Sequence, residues 1–212
     1  MRRKKKKPLK TALFLFLLLT ICGAVVFFNR TKQQYQQVMA LESEVEKKKK
    51  KNGISEYREL ILSMILTESK GLGNDPMQSS ESAYGEAGRT SDPSESIAQG
   101  VSYLAESIAL AQDQGVDLWT AVQAYNFGLD YIYFVESRGG VNDLTLAEEY
   151  SRDYLAPQLG NHDQEQYRYW RIFPVFHNGG YLYYNGGNFF YAPSVKWNQQ
   201  KMQFFHYLEN LW

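Results

Sequence analysis

Eighteen consecutive residues, Thr11 to Phe28, carry no charge, and a basic run from Arg2 to Lys7 stands just before them. At ~1.5 Å per residue, a helix of this length is about as long as the hydrocarbon core of a bilayer is thick. The run is therefore expected to be a transmembrane helix. The charge that precedes it predicts a cytoplasmic N-terminus and a folded domain on the far side of the membrane. A cleavable signal peptide is the competing reading, but its apolar stretch would be shorter and would end in small residues. Here Val25-Val26-Phe27-Phe28 carries the apolar character to Asn29, so an uncleaved anchor is expected. Cys22, the only cysteine, falls inside the run. In Leu19-Thr20-Ile21-Cys22-Gly23 the large Ile21 does not suit a lipidation site, so Cys22 is read as membrane-buried. With no cysteine beyond it, the rest of the chain has no disulfide and must be held by its core.

The formal net charge of zero hides a division. Residues 1–51 hold 14 of the 23 Lys and Arg but only three of the 23 Asp and Glu, which leaves residues 52–212 at −11. Nucleic acid is a poor partner for such a domain, because its binding rests on neutralising phosphates. A neutral or mixed-charge glycan suits it better. The chain then divides into a basic N-terminus (1–10), the anchor (11–28), a charged stretch (29–53) and a folded domain (54–212). The third of these contains the block Lys47 to Lys51 and a sparse apolar stripe of Tyr35, Val38, Leu41 and Val45. It is read as a solvated stalk, with a short coiled coil as the alternative.

Within the domain, Ile54, Tyr57, Leu60, Ile61, Met64 and Ile65 recur at helical spacing and lead into Glu68-Ser69. A loop rich in Gly, Ser and acids follows over 70–92, and long loops of this kind are usually functional. Asp92-Pro93-Ser94-Glu95 has the form of a helix start, with Asp92 as N-cap and Pro93 at the first position. That helix should reach about Gln114. Asp117 should cap another that ends in Ala124-Tyr125-Asn126-Phe127-Gly128, and short helices are expected near 129–137 and 145–156. The tail changes character: two Asn-Gly-Gly elements flank the aromatic run 181–184, which reads as a small hairpin or an aromatic-packed loop. Helix is expected again from Tyr191.

A carboxyl group at the apolar end of a helix is raised in pKa by desolvation, which keeps it protonated as a general acid near neutral pH. Glu68 has that setting. Taken in order, Glu68-Ser69, the loop Gly73-Asn74-Asp75-Pro76-Met77-Gln78, and Ala124-Tyr125-Asn126-x-Gly128 resemble the goose-type lysozyme and soluble lytic transglycosylase superfamily. The wording of the loop, with Asp92-Pro93-Ser94-Glu95 and Gly100-Val101, is most similar to the lysozyme-like domain of Gram-positive cell-wall hydrolases. That group includes proteins of the pneumococcal vaccine antigen A type. One departure is Asp75-Pro76, where the superfamily usually has Gly-Leu.

The resemblance implies an all-α, lysozyme-like domain that acts as a glycosidase on peptidoglycan glycan strands at the cell membrane, facing the wall. Glu68 would be the catalytic acid. Met77 and Gln78 would line the sugar cleft, and Tyr125 and Asn126 would close its other wall. Tyr191, in Tyr191-x-x-x-Val195-Lys196, resembles a late segment whose Tyr faces the active site. Ser69 is a candidate for binding substrate or for ending the helix. Asp92 is a candidate for a second catalytic carboxylate that positions water, or for a cap alone; Asp75 and Glu86 are further acids of the same loop. Hydrolysis and formation of a 1,6-anhydro product both remain open, as does a non-catalytic glycan-binding module. His162, His177 and His206 lack metal-ligand spacing, so neither metal nor cofactor is expected.

Overall fold

The computed structural model describes residues 7–80 and 92–211, and Glu86 lies outside them. The first element, α1, runs without a break from Lys7 to Met39. Its apolar part is exposed throughout, as a helix meant for lipid must be, and the helix is long and apolar enough to cross a membrane. At Thr31 its character changes. Thr31, Tyr35 and Val38 are buried, and they return at the spacing of one helix face.

Those residues pack on the folded body, and so does the next helix. α2 (Glu42–Lys51) buries Val45 and the stem of Lys49. Lys49 pairs with Glu46 at 2.9 Å, and Arg58 pairs with Glu42 and with Glu46. The stretch expected to be a solvated stalk is thus a structural part of the domain. The sparse stripe of Tyr35, Val38 and Val45 belongs to its core, and of the lysine block Lys47, Lys50 and Lys51 stay exposed while Lys49 is buried. The physical reason is that three or four apolar residues suffice when a prebuilt surface receives them, while the sequence displays only how few they are.

At the centre lies α3 (Arg58–Glu68), preceded by a 3-10 turn at Ser55–Tyr57. Seven successive residues, Leu60 to Leu66, are buried, so the helix is surrounded on every side. Its polar members fold their hydroxyls back: Ser63 donates to the Glu59 carbonyl and Thr67 to the Ser63 carbonyl. α4 (Pro93–Asp113) shows the face expected of it, with Ile97, Val101, Leu104, Ile108 and Ala111 inside. α5 (Leu118–Phe127) is capped by Asp117, whose carboxylate accepts from the Thr120 N–H, and it ends at Gly128 with φ +92°. α6 (Asp130–Glu136) and α7 (Leu144–Tyr150) follow, and α7 continues through a π-helical segment, Ser151–Leu155. Phe127, Tyr131, Phe134 and Tyr150 join these pieces in edge-to-face and tilted ring contacts.

The tail forms β1 (Gln166–Arg168) and β2 (Tyr181–Tyr183), an antiparallel pair with Tyr167 opposite Leu182. Between them lies α8 (Ile172–Asn178), closed by Gly179 in the left-handed region. The pairing anticipated for the aromatic tail therefore exists, but its strands are joined through a helix and not through a tight turn. The last helix, α9 (Tyr191–Glu209), returns to pack along α3. Its Phe205 meets Phe28 and Tyr35 of α1, and the Tyr35 hydroxyl donates to Glu209 at 2.7 Å. Among the described residues the architecture is all-α apart from one small ladder.

Candidate active site

The site forms where α3 ends. Helix α3 stops at Glu68 because Ser69, Lys70 and Gly71 leave helical geometry, the last two with positive φ. Protein packs around the Glu68 carboxyl while the side chain keeps some contact with solvent. Desolvation pushes its pKa up to about 7. The Tyr191 hydroxyl and the charge of Lys70 pull it down, and the charge of Asp75 adds to the rise. The proton is therefore held near neutral pH by burial first and by a neighbouring anion last.

Two tyrosines roof this carboxyl. Tyr125 from α5 and Tyr191 from the start of α9 stack nearly parallel, with ring centroids 6.2 Å apart. Tyr125 donates its hydroxyl to the Met77 carbonyl at 3.0 Å and so ties α5 to the loop after Glu68. The Tyr191 hydroxyl faces Glu68 without closing a hydrogen bond of ordinary geometry. It is the one buried side-chain polar atom left without a partner among the described residues. Burial, with the Glu68 charge next, pushes both phenols well above their ordinary pKa, so both remain protonated.

The loop is organised around Asp75, a buried carboxylate. One oxygen accepts from the Ser79 N–H at 2.9 Å and the Ser96 hydroxyl at 2.6 Å; the other accepts from the Ser80 hydroxyl and N–H. Burial alone would raise this carboxyl, but the hydrogen bonds from Ser80, Ser96 and the loop backbone outweigh it and hold the pKa below its ordinary value. Ser96 also accepts from the Met77 N–H, which locks Met77 into the core. Gly100 on α4 is needed here: a Cβ at that position would come within 2.7 Å of both the Met77 side chain and the Tyr125 hydroxyl. Gln78 is exposed at φ +49° and donates its amide to the Asp75 carbonyl at 2.8 Å.

Ser69 is occupied by the same loop. Its hydroxyl donates to the Pro76 carbonyl at 2.9 Å and accepts from the Gly71 N–H. Asp92 is exposed and caps α4, accepting from the Ser94 N–H at 3.0 Å. Asn126 is exposed at the end of α5, and its side-chain amide oxygen Oδ1 accepts from the Asn188 N–H at 2.7 Å. Gln123 reinforces that joint, donating to the Asn188 carbonyl and accepting from the Ala192 N–H. The fold thus gathers Glu68, Met77, Tyr125 and Tyr191 around one place, with Asn126 tying the tail across it. It gives Ser69 and Asp92 backbone partners of their own. Sequence reasoning missed Ser96 and Gln123. Each is a buried polar residue on an otherwise apolar helix face, and that is the signal by which they could have been found.

These features define a lysozyme-like protein, and the chain belongs to that family: the lysozyme-like family model matches residues 35–199. The match begins at Tyr35, where α1 enters the core. Pneumococcal vaccine antigen A of Streptococcus pneumoniae is 42% identical over 198 residues, which is 93% of each chain. An uncharacterised membrane protein of Bacillus subtilis, YocA, is 35% identical over 73% of this chain and 75% of its own. The bifunctional muramidase/DL-endopeptidase CwlT of Bacillus subtilis is 34% identical over half of this chain, but that match spans 32% of CwlT. Among solved structures, a lipoprotein-like protein of the NLP/P60 family from Staphylococcus aureus superposes with a TM-score of 0.70 and 34% identity. That alignment covers 77% of this chain and 52% of that one.

Proposed function

We propose that this protein is a peptidoglycan glycosidase that cleaves the glycan strand between N-acetylmuramic acid and N-acetylglucosamine. Glu68 is its general acid. The observation that carries the reading is a carboxyl held protonated up to about pH 7 at the end of a buried helix, beneath two protonated tyrosines. Glu68 gives its proton to the departing glycosidic oxygen while positive charge develops at the anomeric carbon. Water then adds to that carbon and returns a proton to Glu68. The Tyr191 hydroxyl, lacking a partner of its own, is placed to hold the carboxyl through both steps. Gln78 lines the cleft on the loop side, with Tyr125 and Asn126 opposite; Met77, expected to line the cleft too, is fully buried and supports the loop from the core. α1 anchors the domain in the membrane with the catalytic body facing the wall.

A specific observation favours a second reading, lytic transglycosylation. Asp75 is saturated by donors and Asp92 is spent on a cap, so neither is free to activate water. In that chemistry the sugar's own hydroxyl attacks, no second carboxylate is required, and a 1,6-anhydro end results. Digestion of purified walls followed by mass spectrometry decides between them. Hydrolysis leaves reducing ends with water added, and transglycosylation leaves anhydro ends. Release of neither product, with wall binding intact, would reduce the protein to a glycan-binding module.

A further inference from the structure

A cavity of about 850 Å³ opens beside α1, bordered by Thr67 and Lys70 on either side of Glu68 in the chain, and its lining combines two chemistries. Lys70, Arg171 and Lys201 supply cations; Phe27, Trp170 and Phe176 supply exposed or lipid-level aromatic surface. None of the three cations has a carboxylate within ion-pair distance among the described residues. This holds in a body that carries a strong excess of acid over residues 52–212. Lys70 donates only to the Thr67 carbonyl, and Lys201 lies over the Trp197 ring. Burial depresses both lysines, joined at Lys70 by the charge of Arg171 and at Lys201 by those of Lys70 and Arg171, while the Glu68 charge partly offsets this at Lys70. Gathering like charges in this way costs stability, and an anion placed among them would offset that cost.

The position of the cavity identifies the anion. Phe27 is the penultimate residue of the apolar run, and the body begins to bury α1 at Thr31, so no spacer separates the bilayer from the cavity. Trp170 is 69% exposed, and Trp is enriched at the membrane–water boundary; Phe176, 85% exposed, adds apolar surface to the same lining. We infer that this cavity binds one anionic phospholipid of the membrane that α1 crosses, with its phosphate among Lys70, Arg171 and Lys201 and its chains along the exposed face of α1. The inference rests on the reading of α1 as a membrane span. Its consequence is that the body is held flat on the bilayer. Glu68, two residues from Lys70, then works on the layer of wall nearest the membrane.

The test uses the full chain in lipid nanodiscs, with Trp119 and Trp212 replaced by Phe so that Trp170 and Trp197 report. Brominated phosphatidylglycerol should quench their fluorescence more than brominated phosphatidylcholine at equal mole fraction. The pair Arg171→Gln and Lys201→Gln should cut the ratio of the two apparent affinities roughly tenfold or more, at roughly fivefold per cation. Millimolar inorganic phosphate, compared with chloride at matched ionic strength, should leave the preference in place. Equal quenching by the two lipids would overturn the inference, as would a preference that survives the double substitution. Loss of the preference to inorganic phosphate, or to a soluble chitin oligosaccharide, would transfer the cavity to those ligands and overturn it too. A chain that fails to co-elute with nanodiscs breaks the membrane-span reading, and the inference with it; a chain that co-elutes without preference breaks the inference alone.

Discussion

Glu68 and Asp75 are acids of the same loop region, both set into protein, and they titrate in opposite directions. Glu68 ends a helix whose last turns are apolar, and its carboxyl is faced by the Tyr191 phenol, which does not complete a hydrogen bond. Asp75 sits in a turn that offers it the Ser80 hydroxyl and two backbone N–H groups, and α4 adds the Ser96 hydroxyl. Burial raises both, but only Asp75 receives enough donors to reverse the effect. Depth alone therefore does not make an acid catalyst. A dry carboxyl short of donors keeps its proton, while a dry carboxyl with many becomes a fixed anion that shapes the loop and raises its neighbour.

The comparison breaks most visibly at Glu68. Glu68→Gln keeps the shape and removes the transferable proton, so wall digestion should fall by about 10²–10⁴-fold, read as release of soluble fragments. Retention of a tenth of the rate would end the assignment. The same variant sharpens the argument thermodynamically. The folded pKa of about 7 lies above the ordinary 4.5. The contribution of Glu68 to stability is thus fully present below pH 4.5 and is lost as pH rises through 7. Above pH 7, Glu68→Gln should melt higher than the natural protein, by an equivalent of about 1–3 kcal/mol, and the two should converge in acid.

Asp75→Asn tests the other half. It removes the charge and turns an amide donor toward donors, so it should destabilise the protein by about 2–3 kcal/mol, measured by urea unfolding at pH 7. Because the folded pKa of Asp75 lies below 3.8, its contribution is present above that pH and is lost as pH falls through the folded value. The gap between variant and natural protein should shrink in strong acid. Since the Asp75 charge raises Glu68, the alkaline limb of the pH–rate profile should move to lower pH.

Tyr191→Phe should have a smaller effect in the opposite direction. The hydroxyl lowers the Glu68 pKa, so its removal should shift the alkaline limb upward, with a loss of rate below the ~10²-fold typical of an acid–base group. A limb that moves down would contradict the approach of Tyr191 to Glu68.

The smallest effect belongs to Asp92. As a cap it should tolerate Asn with little change in melting temperature or digestion rate, while Asp92→Ala should cost about 1 kcal/mol. Abolition of hydrolysis by Asn at unchanged stability would make Asp92 a base after all.

Much of this was legible without coordinates. Uninterrupted apolarity marks α1, the Asp-Pro and Asp117 caps mark the starts of α4 and α5, and the helix ending in Glu68-Ser69 carries its own signal, because each depends on residues a few positions apart. Other features join distant parts of the chain and leave no local trace. Tyr35, Val38 and Val45 look like too little apolar surface until α3, α4 and α9 close around the two helices that carry them. Asp75 looks like one acid among several until Ser96 arrives from α4. The sequence by itself determined the apolar run, the capped starts of α4 and α5 and which acid ends a buried helix, since periodicity, capping and burial by neighbours act within a few turns. Only the tertiary structure decided that Asp75 becomes a fixed anion, that the Tyr191 hydroxyl is left without a partner of its own, and that Lys70, Arg171 and Lys201 share one cavity. Those outcomes depend on donors, rings and charges brought together across the whole chain, where distance in space, and not order in sequence, sets the energy.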